Sequence, residues 1–172
     1  MTGGECAIRT AVFRVSGCAG FLRELRAIGA ARGTRLICFN ADLMAGRAHA
    51  EAALGRALRA VRAGTAISSS LEMEALLFAA GNRQCAVAER FGIHEGVNRA
   101  WVCLCPLADA AFADLVGVME FVEEDWEAIP GEKAGRLRET FGITAAELAA
   151  AGGTDRLREL VLERVALLEV YR

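Results

Sequence analysis

Asn82, Arg83 and Gln84 place one guanidinium and two amide groups at three consecutive positions of the chain. A guanidinium pairs with phosphate or carboxylate oxygens, and an amide can both donate to and accept from the edge of a base. Gly81, just before them, can adopt the left-handed conformation that ends a helix. The segment 69–91 therefore predicts two short helices with hydrogen-bond donors at the corner between them. Such a corner is more typical of recognition than of catalysis.

A second set of basic side chains lies on a predicted amphipathic helix, His49 to Arg62. Arg56, Arg59 and Arg62 follow its outward side, and they could neutralise phosphates or form a solvated helix face. The residues expected inward are Ala53, Leu54, Ala57, Leu58 and Val61. Residues 1–99 carry 13 basic and 8 acidic side chains, a balance of +5, whereas 100–172 carry 7 and 14, a balance of −7. A polyanion could therefore bind the first part of this chain of net charge −2.

Catalytic chemistry has less support in the residue pattern. His49 could act as a general base and Cys38 as a nucleophile, but no third residue at a fixed spacing completes either set. A histidine at a helix start more often caps or packs. Gly17-Cys18-Ala19-Gly20 follows a predicted strand but lacks the lysine and hydroxyl of a phosphate-binding loop.

The six cysteines contain no C-x-x-C pair. Cys103 and Cys105 would share one face of a strand, and only His49 and His94 could join them around zinc. We therefore expect free, mostly buried thiols in a reducing compartment, with no metal site and no cofactor.

The apolar pattern predicts an α+β fold. Strands are expected at Ile8 to Val15, Leu36 to Phe39 and Trp101 to Cys105. Helices are expected at 21–31, 49–62, 69–91 in two parts, 109–120, 132–141, 144–150 and from Thr154 to the C-terminus. Since no linker or repeat interrupts them, we expect a single domain, 1–172, with a small mixed or antiparallel sheet packed by several helices.

Several polar residues precede these helices and predict their caps. Ser69 and Glu72 have the spacing of a capping box. Asn40 or Asp42 could cap the helix of 49–62, and Thr154 could cap the last helix. That last helix carries Leu160, Leu167 and Val170 on or near a second apolar margin beside its core-facing stripe.

The chain is expected to be cytoplasmic. Its N-terminus, MTGGECAIRT, shows no basic segment followed by an apolar one, as a secretory signal would. No apolar run reaches the roughly 18 residues of a membrane-spanning helix. We therefore expect no association with a membrane.

Motifs from residue 36 to the C-terminus resemble the small tRNA-binding subunit of the KEOPS complex, whose eukaryotic relatives are called PRPK-binding protein. They are Asn40-Ala41-Asp42 with Gly46 and His49, Ser70-Leu71-Glu72-x-Glu74-x-Leu76-Leu77, Gly81-x-Arg83-Gln84, Gly92-Ile93 and the tail Leu162-Glu163-Arg164-Val165-Ala166-Leu167-Leu168. The chain departs from the family pattern at Ser69, where a basic residue is common, at Phe78, where tyrosine is common, and at Cys85, where an aliphatic residue is common.

The resemblance implies a non-catalytic subunit in the synthesis of threonylcarbamoyladenosine in tRNA. Such a subunit binds a small atypical kinase/ATPase subunit, and through it the transferase subunit, and it recruits tRNA by the 3′ CCA end. Asn82, Arg83, Gln84, Arg56, Arg59 and Arg62 are then the expected tRNA-binding residues, and Leu160, Leu167 and Val170 the expected kinase-binding residues. The alternative is a small cytoplasmic α+β enzyme that uses His49 or Cys38.

Overall fold

The computed structural model describes residues 5–171, and in that range it contains four strands and eight α-helices. The strands are β1 (Ala7–Val15), β2 (Arg35–Asn40), β3 (Gly96–Cys105) and β4 (Glu120–Val122). The helices are α1 (Cys18–Arg32), α2 (Arg47–Ala63), α3 (Leu71–Ala80), α4 (Cys85–Ala88), α5 (Asp109–Leu115), α6 (Gly131–Phe141), α7 (Ala145–Ala151) and α8 (Leu157–Val170).

The four strands form one sheet in the order β2–β3–β1–β4, and every neighbouring pair is antiparallel. The long pairing of β1 with β3 runs from Ala7 opposite Leu104 to Val15 opposite Gly96. The predicted α+β class is therefore confirmed, with a wholly antiparallel sheet.

The chain divides into two compact units, each made of two stretches of sequence. The first unit comprises Met1–Asn40 and Gly92–Glu124. One face of its sheet packs against α1 and α5, because alternate strand residues point to the same side. The core on this face comprises Ala11, Phe13, Val15, Leu36, Cys38, Ala100, Val102 and Leu104 from the strands and Leu25, Ala111, Phe112 and Leu115 from the helices.

The second unit comprises Ala41–Phe91 and Asp125–Arg172, and its regular structure is helical. Helix α8 contacts α2, α3, α6 and α7, so it is the central element of this unit. Its buried side chains are Leu157, Leu160, Val161, Val165 and Leu168, the stripe expected from their spacing. On α2 the buried stripe includes Ala60, whereas Val61, expected inward, is 45% exposed.

The start of α3 differs by one residue from the predicted capping box. Ser70, not Ser69, is the N-cap, and its Oγ accepts from the amide of Met73 at 3.1 Å. Glu74 reaches back, and its Oε2 accepts from the amides of Ile67 and Ser68 at 2.9 and 2.8 Å. Because three serines follow one another, the sequence does not show which of them is the N-cap. The buried carboxylate of Glu74, which bonds to the amides before the helix, fixes the start of α3 after Ser70.

Two other predicted caps are wrong. Helix α2 begins after Gly46 at φ 101°, and Glu127 Oε1 accepts from the amide of Arg47 at 2.6 Å. Asn40 and Asp42 lie too early to cap it, because a 3-10 turn occupies Ala41–Leu43. Thr154 begins another 3-10 turn, and α8 starts three residues later without a side-chain cap.

The segment expected as one helix over 109–120 contains two elements. Helix α5 ends at Leu115, and the edge strand β4 follows at Glu120–Val122. Phe112 and Leu115 bury the helix against the sheet, and Phe121 of β4 packs on the same core. A strand of three residues carries too little alternation to be recognised in sequence.

The expectation of free thiols is wrong for one pair. Cys6 and Cys105 form a disulfide, whereas Cys18, Cys38, Cys85 and Cys103 are outside any disulfide. The pairing follows from the register, because Ala7 lies opposite Leu104 and the preceding Cys6 therefore lies opposite Cys105. Among residues 5–171 there is no helix of the length and apolarity needed to cross a bilayer, and no cluster of three or more metal-ligating side chains.

Candidate nucleic-acid and partner interface

The corner between α3 and α4 is built by a glycine and an asparagine. Gly81, at φ 56°, donates to Phe78 O, and the next amide, of Asn82, donates to Leu77 O, which together close α3. Asn82 Oδ1 then accepts from the amide of Gln84 at 2.9 Å. The side-chain carbonyl of Asn82 is therefore used to shape the turn.

Arg83 and Gln84 extend outward from this turn and are exposed. Gln84 is the N-cap residue of α4 but makes no side-chain cap, so its amide is accessible at the surface. Arg83 Nη1 donates to the carbonyl oxygen of Tyr171 at 3.3 Å, just beyond the end of α8. The corner thus presents one guanidinium and one amide next to the C-terminal end of a helix.

Two of the three predicted arginines on α2 also reach the end of α8. Arg56 forms an ion pair with Glu169 through Nη1 and Oε2, and Arg59 Nη2 lies 3.8 Å from the same Oε2. Arg62 is exposed in the last turn of α2. Arg56, Arg59 and Arg83 therefore come together around residues 169–171.

The predicted partner margin on α8 divides into buried and accessible residues. Leu160 is only 8% exposed and belongs to the core of the second unit, because it lies on the same stripe as Leu157 and Val161. Leu167 is half-buried, and Val170 is 72% exposed. Tyr171, which was not expected in this margin, is 70% exposed.

His49 is held in place by both ring nitrogens. Its Nδ1 accepts from the amide of Ala45 at 3.1 Å, so Nε2 carries the proton and donates to Ala79 O at 2.8 Å. The ring makes edge contacts with Phe91 and Phe141 and is fully buried. Burial lowers the pKa of His49 to about 4, which keeps the imidazole neutral.

Cys38 is likewise unsuited to the chemistry that the enzyme alternative assigns to it. It lies on the packed face of β2, and burial raises its pKa to about 12. A thiol must ionise to act as a nucleophile, and a buried neutral histidine with both nitrogens bonded cannot accept a substrate proton. Neither residue therefore has the geometry of a reaction centre.

Glu95 occupies the glycine turn at the start of α1. Its two oxygens accept from the amides of Gly17 and Cys18 at 2.9 and 2.7 Å. These bonds hold the pKa of the Glu95 carboxyl below its ordinary value. An acidic side chain of the same unit thus fills the position that a phosphate would need, which agrees with the missing lysine of the motif.

The sequence did not predict the structural roles of three acidic residues that organise the second unit. Glu74 and Glu127 satisfy backbone amides, and Glu127 Oε2 also pairs with Arg158 Nη2 at 3.1 Å. Glu169 lies in the last turn of α8, where the helix dipole disfavours an anion. That unfavourable position was the one signal by which Glu169 could have been noticed in the sequence.

No known protein family and no curated protein matches the chain.

Proposed function

We propose that the protein is a non-catalytic subunit of a KEOPS-type complex for threonylcarbamoyladenosine synthesis. It recruits tRNA through the 3′ CCA end and binds the small kinase/ATPase subunit through the end of α8. The chemistry in this proposal belongs to a separate transferase subunit. The motifs that resemble the family, from Asn40 to Leu168, are the sequence basis of the proposal.

One observation carries the tRNA part of the proposal. Arg56 and Arg59 of α2 and Arg83 of the corner converge on residues 169–171, although they are up to 27 positions apart in sequence. Guanidinium groups held at one helix end can contact phosphates of a single strand, because each group is charged and offers several donors. The sequence spacing of these arginines does not by itself require them to meet, because they lie on two different elements.

The corner supplies the polar groups that a single-stranded end requires. The exposed amide of Gln84 can donate to and accept from one base edge. Unpaired bases at an RNA end display their Watson–Crick edges, which bases in a duplex do not. A CCA end therefore fits a short polar corner flanked by arginines better than a helical stem does.

The partner part of the proposal rests on exposed apolar side chains beside this cluster. Val170 and Tyr171 end α8 and are 72% and 70% exposed. Adjacent exposed aliphatic and aromatic side chains at a helix end can form part of a surface that a protein partner covers. The two binding surfaces would then be neighbours on the second unit.

Binding to two forms of one tRNA tests the proposal. A tRNA transcript with its complete 3′ end and the same transcript lacking the three CCA nucleotides are compared by fluorescence anisotropy at fixed ionic strength. We expect most of the affinity to be lost with the three nucleotides, and binding of the complete tRNA to fall steeply with salt. Equal affinities for the two transcripts would contradict the proposal, since they would reflect charge alone.

A further inference from the structure

Glu169 lies at a position that is electrostatically unfavourable within its own helix. It is in the last turn of α8, a turn that contains no basic residue. The C-terminal end of a helix carries a partial negative charge, so an additional carboxylate there raises the local negative potential. Glu169 therefore depends on cations supplied by other elements.

Those cations are two of the arginines assigned to RNA, and a third lies beside them at the same helix end. Arg56 and Arg59 pair with the carboxylate of Glu169, and Arg83 donates to the carbonyl oxygen of Tyr171, just beyond the end of α8. The side chain of Arg56 is 24% exposed, that of Arg59 is 58% exposed and that of Glu169 is 42% exposed. Solvent and an incoming ligand can therefore reach the ion pairs.

We propose that Glu169 is an internal competitor of the RNA phosphates, so that the chain regulates its own tRNA affinity through this carboxylate. The inference rests on the proposed function, because it concerns two of the same arginines, Arg56 and Arg59. In the free protein Glu169 occupies the guanidinium groups of Arg56 and Arg59. A phosphodiester that binds there displaces the carboxylate.

The competition follows from the chemistry of the guanidinium group. Carboxylate and phosphate oxygens use the same N–H donors, and they do so with similar geometry. A partly exposed ion pair is weak enough to be displaced, corresponding to a factor of about two to five in an equilibrium constant. Glu169 therefore lowers the affinity for RNA moderately and does not block the site.

The displaced carboxylate gives the competition a second consequence. After displacement, Glu169 remains beside the negative end of α8 and next to the exposed Val170 and Tyr171. A protein partner that covers this end with a basic side chain would compensate Glu169. By thermodynamic linkage, such a partner and RNA would then each strengthen the binding of the other.

A charge-neutral variant tests the proposal in the full chain. Glu169→Gln removes the competing charge, and we expect it to tighten binding of the complete tRNA about threefold. Glu163→Gln is the matched control, because Glu163 is exposed on the same helix and the substitution changes the net charge by the same amount. In an Arg56→Gln/Arg59→Gln background the gain from Glu169→Gln should disappear.

The possible outcomes separate this inference from the proposed function. Equal effects of Glu169→Gln and Glu163→Gln would overturn it, since only net charge would matter. Weaker binding by Glu169→Gln would also overturn it, because Glu169 would then position the arginines for RNA. Either result leaves the dependence on the CCA end, and hence the proposed function, intact. Loss of that dependence in the unsubstituted protein would instead reject both.

Discussion

The carbonyl oxygen of Arg164 in α8 lies 3.1 Å from the point where a Cβ on Gly81 would stand. Gly81 also has a φ of 56°, in the left-handed region. A Cβ here would be closer to the backbone of α8 than most Cβ contacts are, so the close approach of α3 to α8 favours a residue without a side chain. This close approach fixes the corner that carries Arg83 next to the last turns of α8.

The first prediction concerns this approach. Gly81→Ala should lower the free energy of unfolding by about 3 kcal/mol, since it adds a left-handed alanine and a steric contact with Arg164. Gly64→Ala is the matched control, because Gly64 ends α2 at φ 68° with no atom within 4 Å of its Cβ position. It should cost only about 1 kcal/mol. If urea-induced unfolding gives the same loss of unfolding free energy for both variants, α8 shifts to accommodate the added methyl group.

The second prediction concerns His49 and pH. Burial lowers the pKa of His49 from 6.5 to about 4. Between these two pH values the unfolded chain therefore binds a proton at His49, whereas the folded chain does not. Above pH 6.5, His49 is neutral in both states and makes its full contribution to the free energy of unfolding. This contribution is lost progressively as the pH falls to 4, by about 3 kcal/mol in total.

His49→Gln isolates this contribution from that of the carboxylates, which titrate in part of the same range. The difference in the free energy of unfolding between the two proteins, measured from pH 7.5 to 4, should shrink as the pH falls. If the two profiles run parallel, the folded protein binds the proton at His49 as readily as the unfolded chain does.

The fold class could be predicted because the long strands and helices carry apolar side chains at a regular spacing along one buried face. The alternation of β1 and the 3.6-residue period of α8 are visible in the sequence, and both elements lie where they were expected within a few residues. Strand β4 and the cap of α2 could not be predicted. They depend on residues distant in sequence, as Glu127 shows for the amide of Arg47, or on a strand of three residues.

The candidate site was predictable in its residue types but not in its arrangement. The motif around Gly81 indicates an exposed Arg83, and the structure has it exposed. Glu169 could have been noticed only by its unfavourable place in the last turn of α8, since a glutamate on a charged helix otherwise resembles any solvated residue. The contact between Glu169 and Arg56 arises from helix packing across 113 positions, which no local pattern encodes.

The third prediction concerns Arg83. Arg83→Ala should weaken binding of the complete tRNA about fivefold, because one charge-assisted contact is lost. Arg26→Ala removes the same charge from an exposed position on α1 and should change the affinity less. Both affinities for the complete tRNA are measured by fluorescence anisotropy at one salt concentration. Similar losses would indicate diffuse attraction in place of a defined contact.

The fourth prediction concerns the partner surface. Val170→Glu should abolish co-purification with the kinase subunit while leaving the melting temperature unchanged, because Val170 is 72% exposed. Leu167→Glu should also reduce co-purification but lower the melting temperature, because Leu167 is half-buried. Val116→Glu, at a 68% exposed position in the first unit, is the control. Undiminished co-purification of Val170→Glu would place the interface elsewhere.

The fifth prediction concerns the cysteine pair. The denatured, unreduced protein should titrate four thiols, and six after reduction, because Cys6 and Cys105 are joined. The bond spans 99 positions, and its reduction should lower the free energy of unfolding by about 4 kcal/mol. Cys6→Ser should have the stability of the reduced protein under both conditions. Six thiols before reduction would show that the pair is not oxidised.

The interleaving of the two units has a consequence for the order in which they form during synthesis. Residues 41–91 interrupt the first unit, and they belong with residues 125–172. A growing chain that has reached residue 124 contains the whole first unit but only half of the second. At that stage the amide of Arg47 still lacks Glu127, and α2 and α3 still lack α8. The surface proposed for RNA can therefore form only after the segment from residue 125 onward has been synthesised, although Arg56, Arg59 and Arg83 all precede that segment.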